Sequence, residues 1–176
     1  MSLVRTIRSA LMRRFADPAL RESRRSKAEQ RRQREGRPHE VLYFHQPDDP
    51  YSQLAAQTLQ PLLQRYDIRL LPKVVAAPTP IAIHEQGLWD HWAATDAAAI
   101  APHHGLQYHA AQLRDPAQRA LARRVLLAAQ EPLGFALLAG RVSTALAAPT
   151  GEALQALAAE LVLPSAARAE QQLAEN

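Results

Sequence analysis

The residues best placed to do chemistry lie around one short turn. Asp49, Pro50, Tyr51 and Ser52 follow one another directly after the apolar run Val41-Leu42-Tyr43-Phe44-His45, which is rich in strand formers. An aspartate followed by proline is a favoured helix start, because the carboxylate accepts an orphan N–H and the proline has none to lose. The same helix terminus, with unpaired N–H groups and the positive end of the dipole, is also where a protein can hold an anion. Asp49 thus has three open readings: a cap, a ligand contact, or an acid/base group. Tyr51 adds a phenol and Ser52 a hydroxyl in the first turn. His45 falls at the carboxyl end of the strand, the side on which open α/β sheets bind ligands. Its other reading is a partly buried histidine satisfied by backbone.

Much chemistry is excluded. With no cysteine among 176 residues, the chain cannot perform thiol–disulfide exchange with its own side chains. Of the seven histidines, His84, His91, His103, His104 and His109 cluster in sequence. They form no His-Glu-x-x-His pattern, and no supporting carboxylate or thiolate stands at ligand spacing, so no metal site is expected. Gly-rich phosphate loops are absent. Asp96 follows Trp92 by one helical turn and is a candidate to touch substrate, to cap, or to pair with an arginine. Trp89 and Trp92, three apart on one helix face, are expected in the core rather than as cofactor contacts.

Positioning these groups falls to a short βαβ unit. Tyr51, Leu54, Ala55, Thr58, Leu59, Leu62, Leu63 and Tyr66 mark one face of a helix. Pro61 lies within it and is expected to kink or divide it, and Asp67 to end it. Residues 68–75 read as a second strand, at an edge or bulged at Pro72, since proline cannot donate to a ladder. A strand, helix and strand in succession imply parallel pairing. Beyond a Pro-rich loop at 76–80 the chain reads as helix to its end, with stripes at Leu121, Val125 and Ala128 and at Leu154, Leu157, Ala158 and Leu161. Breaks are expected near Pro102, Pro116, Pro132, Pro149 and Pro164. The domain reading is therefore a basic extension at 1–38, a βαβ portion at 39–80 and a helical subdomain at 81–176. The fold class is α/β.

Charge is unevenly spread. Residues 1–38 hold 12 Lys/Arg against 4 Asp/Glu, leaving 9 against 13 for the remainder. Val4, Ile7, Leu11 and Phe15 recur at helical spacing among arginines, so 2–15 reads as a basic amphipathic helix that Asp17-Pro18 ends. Residues 19–38 carry too little apolar surface to bury and read as a solvated helix or a disordered linker. This extension could touch an anionic membrane, non-specific nucleic acid or a protein partner. No specific nucleic-acid recognition is expected, because no aromatic residue lies between 16 and 42 to stack on bases. No run reaches the roughly 18 apolar residues of a membrane span. Without a signal-peptide core or any cysteine, a cytoplasmic location is expected.

Two stretches carry a family resemblance. Val41-Leu42-Tyr43-Phe44 with Asp49-Pro50-Tyr51-Ser52-Gln53-Leu54-Ala55 resembles the first strand and active-site helix of the DsbA-like branch of the thioredoxin superfamily. That branch includes 2-hydroxychromene-2-carboxylate isomerases and kappa-class glutathione transferases. Trp92-Ala93-Ala94-Thr95-Asp96, then Ile100-Ala101 and Gly105-Leu106-Gln107-Tyr108, is similar to the helical insertion of the same branch. The resemblance covers about 41–110 of the sequence.

The resemblance implies a partial thioredoxin-like unit with a large helical subdomain and a glutathione-dependent isomerase- or transferase-like activity. Asp49 and Ser52 then take the two reactive positions. His45, Pro50, Tyr51 and Asp96 would bind substrate or glutathione, a small-molecule or thiol ligand. The departures are equally clear. Asp49 stands where the branch has a serine or cysteine, and it supplies neither a thiol nor, when ionised, a donor to a thiolate. No strand is read after 110, and Pro78 and Pro80 precede the helices rather than following them as the family's cis-proline would. The alternative is a non-catalytic thioredoxin-like binding or scaffold module. The resemblance also implies a missing carboxyl-terminal half, and so an unfinished sheet prone to self-association.

Overall fold

The computed structural model describes residues 3–76, 85–110, 115–129 and 131–176. The Pro-rich loop containing Pro78 and Pro80, and with it His84, lies outside the described residues. The chain forms two compact units, Met1–His39 and Glu40–Asn176.

In the first unit, α1 (Leu3–Ala16) and α2 (Pro18–Arg34) are separated at Asp17, whose carboxylate accepts the Ala19 N–H at 2.9 Å. Of the two readings for 19–38, the structure takes the solvated helix: α2 buries no residue. Its end is held by charge. Glu29 pairs with Arg32 and Glu35 with Arg31 and Arg37, and the Arg32 guanidinium also donates to the Arg37 carbonyl.

The second unit is mixed α/β and mostly helical. Strands β1 (His39–His45) and β2 (Ile68–Val74) form a two-stranded parallel sheet, joined through α3 (Pro50–Arg65). Then follow α4 (Gln86–Ile100), a 3-10 turn at Ala101–His104, α5 (Pro116–Leu127), α6 (Pro132–Ala147), α7 (Glu152–Ala159) and α8 (Ala166–Glu175). Prolines punctuate as their chemistry requires: Pro50, Pro116 and Pro132 each open a helix, where the missing N–H costs nothing. Pro61 does not divide α3, which is assigned through it to Arg65 with Tyr66 as its cap, one residue earlier than the Asp67 expected. Pro61 is exposed, so the carbonyl it leaves without a donor can turn to water.

The core is centred on α6, which carries Phe135, Ala136, Leu138, Ala139, Val142, Ala145 and Leu146 into the interior. Against it pack Ala56 and Leu59 of α3, Leu70 and Val74 of β2, Ala122, Val125 and Leu126 of α5, and Leu154 and Leu157 of α7. Among the described residues, one face of the sheet is covered. Val41, Tyr43 and His45 point inward while Leu42 and Phe44 are exposed, so β1 alternates in burial along its unbroken apolar run.

This asymmetry is measurable. Phe135→Ala should cost about 3–5 kcal/mol in denaturant unfolding. Phe44→Ala, on the open face, should cost well under half of that; equal losses would mean that the open face is covered in solution.

Candidate functional site

The turn between β1 and α3 is built from the backbone outward. Asp49 is the N-cap of α3, its carboxylate accepting the Ser52 N–H at 2.6 Å, and Pro50 takes the first helical position. Ser52 Oγ turns back to accept the Gln46 N–H at 3.3 Å, which ties the turn to the strand end. The neighbouring Asp48 Oδ2 lies 3.0 Å from Arg119 Nε of α5, an ion pair without hydrogen-bond alignment. The dipole end of α3 is thus already occupied by a carboxylate belonging to the chain.

Beneath the turn lies a buried polar chain. Tyr43 Oη is 3.1 Å from the Ser52 carbonyl and 2.9 Å from His45 Nδ1. A phenol has one proton, and the carbonyl can only accept. The consistent assignment has Tyr43 donating to the Ser52 carbonyl and His45 Nδ1–H donating to Tyr43. That leaves His45 Nε2 as a bare lone pair, buried and without a hydrogen-bond partner among the described residues. His45 is fully buried and is not satisfied by backbone, as its alternative reading had it. Its ring meets Phe135 edge-on, centroids 5.6 Å apart at 90°, and Tyr43 meets the same ring at 6.2 Å and 79°. Loss of hydration pushes the His45 pKa down to about 4 from the ordinary 6.5, so it is neutral at pH 7. Tyr43 is shifted upward by burial first and then by the negative charge of Asp49.

The non-helical segment after the 3-10 turn is held over α3 by two glutamines one turn apart. The Gln53 amide donates to the His109 carbonyl at 3.1 Å and accepts its N–H at 2.9 Å. The Gln57 amide does the same for Gln107, at 2.7 Å and 3.0 Å. Residues four apart on a helix rise by about 6 Å, and residues two apart in extended chain by about 6.6 Å. The two periods match, so side-chain amides stand in for a neighbouring strand. Neither glutamine was singled out from sequence. The available signal was the i, i+4 pair itself, on a face adjacent to the apolar stripe.

Asp49, Pro50, Tyr51 and Ser52 therefore share one turn, and His45 lies beneath it. Asp96 is brought to the same end of α3, but its partner is neither an arginine nor a helix end. Tyr51 Oη donates to Asp96 Oδ2 at 2.7 Å, across 45 residues of chain, and this bond raises the Tyr51 pKa. Trp89 and Trp92 are not core residues: they are 51% and 63% exposed. The buried face of α4 is its alanine face, Ala93 and Ala97 continuing to Ala101, which packs with Leu54 of α3. Small side chains allow that approach and leave the indoles outside.

Two openings flank the turn. The crevice bounded by Pro47, Asp48, Asp49, Gln53, Tyr108 and Ser143 holds about 10 Å³, about the room of one water. The second, of about 340 Å³, is lined by Tyr51, Glu85, Leu88, Trp89, Trp92 and Ala93 and is largely apolar. No group of three or more metal-ligating side chains occurs among the described residues. The chain matches no family model, no curated protein and no solved structure.

The buried histidine sets a pH dependence. Below about 6.5 the unfolded chain takes up a proton that the folded chain refuses until about pH 4, so stability is full above 6.5 and falls as the pH drops through that window. Between pH 7.5 and pH 5 this histidine should remove roughly 2 kcal/mol of unfolding free energy. His45→Asn should flatten that slope; an unchanged slope would place the titration elsewhere.

Proposed function

We propose that the Glu40–Asn176 unit is a thioredoxin-like frame of the DsbA branch that acts as a non-catalytic binding module. The observation that carries this reading is the Asp49 carboxylate on the Ser52 N–H at 2.6 Å. It fills with fixed negative charge the helix terminus where the branch would stabilise a thiolate, whether a cysteine's or that of glutathione. A second anion there would face like-charge repulsion.

The glutathione-dependent isomerase or transferase reading has less support from the same turn. Ser52 Oγ faces the Gln46 N–H, the Tyr51 proton is committed to Asp96, and His45 is sealed beneath Phe135. A crevice of about 10 Å³ does not admit a tripeptide. Of the two openings that flank the turn, the one with room for a ligand is the apolar one beside Tyr51, Trp89 and Trp92. Its chemistry suits an uncharged or weakly polar organic group, with the indoles supplying contact area and Glu85 a polar edge.

Calorimetry with millimolar glutathione should show no binding heat, and Asp49→Ala should cost about 1 kcal/mol of stability. The only two tryptophans both line the apolar opening, so an apolar probe such as 1-anilinonaphthalene should change the intrinsic fluorescence. Trp92→Ala should weaken the probe's binding. Glutathione binding abolished by Ser52→Ala would overturn the non-catalytic reading, and a fluorescence indifferent to the probe would remove the ligand site.

A further inference from the structure

We propose that α1 is a membrane-surface anchor that lies in the headgroup layer of an anionic lipid bilayer. The helix spans Leu3–Ala16, and along it the sequence places Val4, Ile7, Leu11 and Phe15 at helical spacing. Ile7, Met12 and Phe15 are exposed, Phe15 at 72%. A soluble helix normally turns such side chains toward a core. Interleaved with the apolar residues in the sequence are Arg5, Arg8, Arg13 and Arg14, and no Asp or Glu occurs before Asp17. Exposed apolar side chains on a helix whose only charges are arginines are what an interfacial helix needs: apolar groups at the acyl boundary and guanidinium groups at the phosphates.

Charge decides the occupant. A second copy of the chain would bring one all-arginine helix against another, with no carboxylate on either to relieve the repulsion. Nucleic acid would satisfy the arginines but leave Ile7, Met12 and Phe15 in water, and no aromatic residue lies between 16 and 42 to stack on bases. An anionic bilayer satisfies both sets at once. The neighbouring helix adds to the field, since Arg21, Arg24, Arg25 and Lys27 face only Glu22 within that stretch. At 14 residues α1 is about 21 Å long, short of a bilayer core of about 30 Å, so it lies on the membrane and does not cross it. Among the described residues no helix is long and apolar enough to cross.

The test is flotation of the full chain with vesicles of phosphatidylglycerol and phosphatidylcholine in equal parts, compared with phosphatidylcholine alone. Partitioning should be at least about tenfold stronger on the anionic vesicles and should fall several-fold when salt is raised from about 0.1 to 0.5 M. Phe15→Ser should weaken it by about tenfold. The double change Arg13→Glu, Arg14→Glu should weaken it at least as much. Circular dichroism should show the rest of the chain folded in both variants. Absence of flotation would overturn the proposal. So would flotation indifferent to Phe15→Ser, which would mean charge contact without insertion. Concentration-dependent self-association without lipid, abolished by Phe15→Ser, would assign the face to a second copy and overturn it as well.

Discussion

The second unit depends on covering one face of a sheet too small to stand alone. Two parallel strands bury little by themselves, and parallel pairing needs a crossover helix before it can form. Helix α6 supplies the missing surface. It is apolar on most sides and meets α3, β2, α5 and α7, with Phe135 seated against Tyr43 and His45. The sheet, the crossover, α5 and α7 share one core because that helix reaches them, while α4 packs its alanines on Leu54 of α3 in a separate cluster.

The site inherits its character from this arrangement. Packing Phe135 onto the end of β1 strips water from His45 and holds it neutral, with one nitrogen spent on Tyr43 and the other on nothing. The Tyr43 phenol passes the constraint upward to the Ser52 carbonyl, and Asp49 closes the helix end above it. Apart from His45 Nε2, which is sealed beneath Phe135, the polar groups of the turn are engaged in holding it. Tyr51 is engaged in the same manner by Asp96, and what remains open beside it is apolar surface. A helix end whose leading N–H is already taken by the chain's own carboxylate is well suited to rigidity and poorly suited to activating a bound anion.

The first unit follows different physics. Helix α2 buries no residue and is secured by ion pairs at its end and an aspartate cap at its start. Exposed pairs of this kind contribute little each, so such a segment draws most of its order from local helical preference or from whatever surface it meets.

The sequence alone determined the features that rest on local chemistry. The Asp-Pro pair at 49–50 marked a helix start and that at 17–18 a helix end, the 3.6-residue stripe marked α3, and β-branched and aromatic runs marked the strands. The aspartate cap at Asp49 and the exclusion of thiol chemistry were legible for the same reason, since each needs only neighbouring residues or their absence. Tertiary structure alone decided the rest. Whether His45 would be half-buried or sealed depended on Phe135, 90 residues away; whether Trp89 and Trp92 would be core or surface depended on which face of α4 could approach Leu54 closely. The Tyr51–Asp96 bond and the glutamine clamps on residues 107 and 109 join distant segments, and no local pattern carries distance. Periodicity reports which residues share a face, but only packing decides which face is covered.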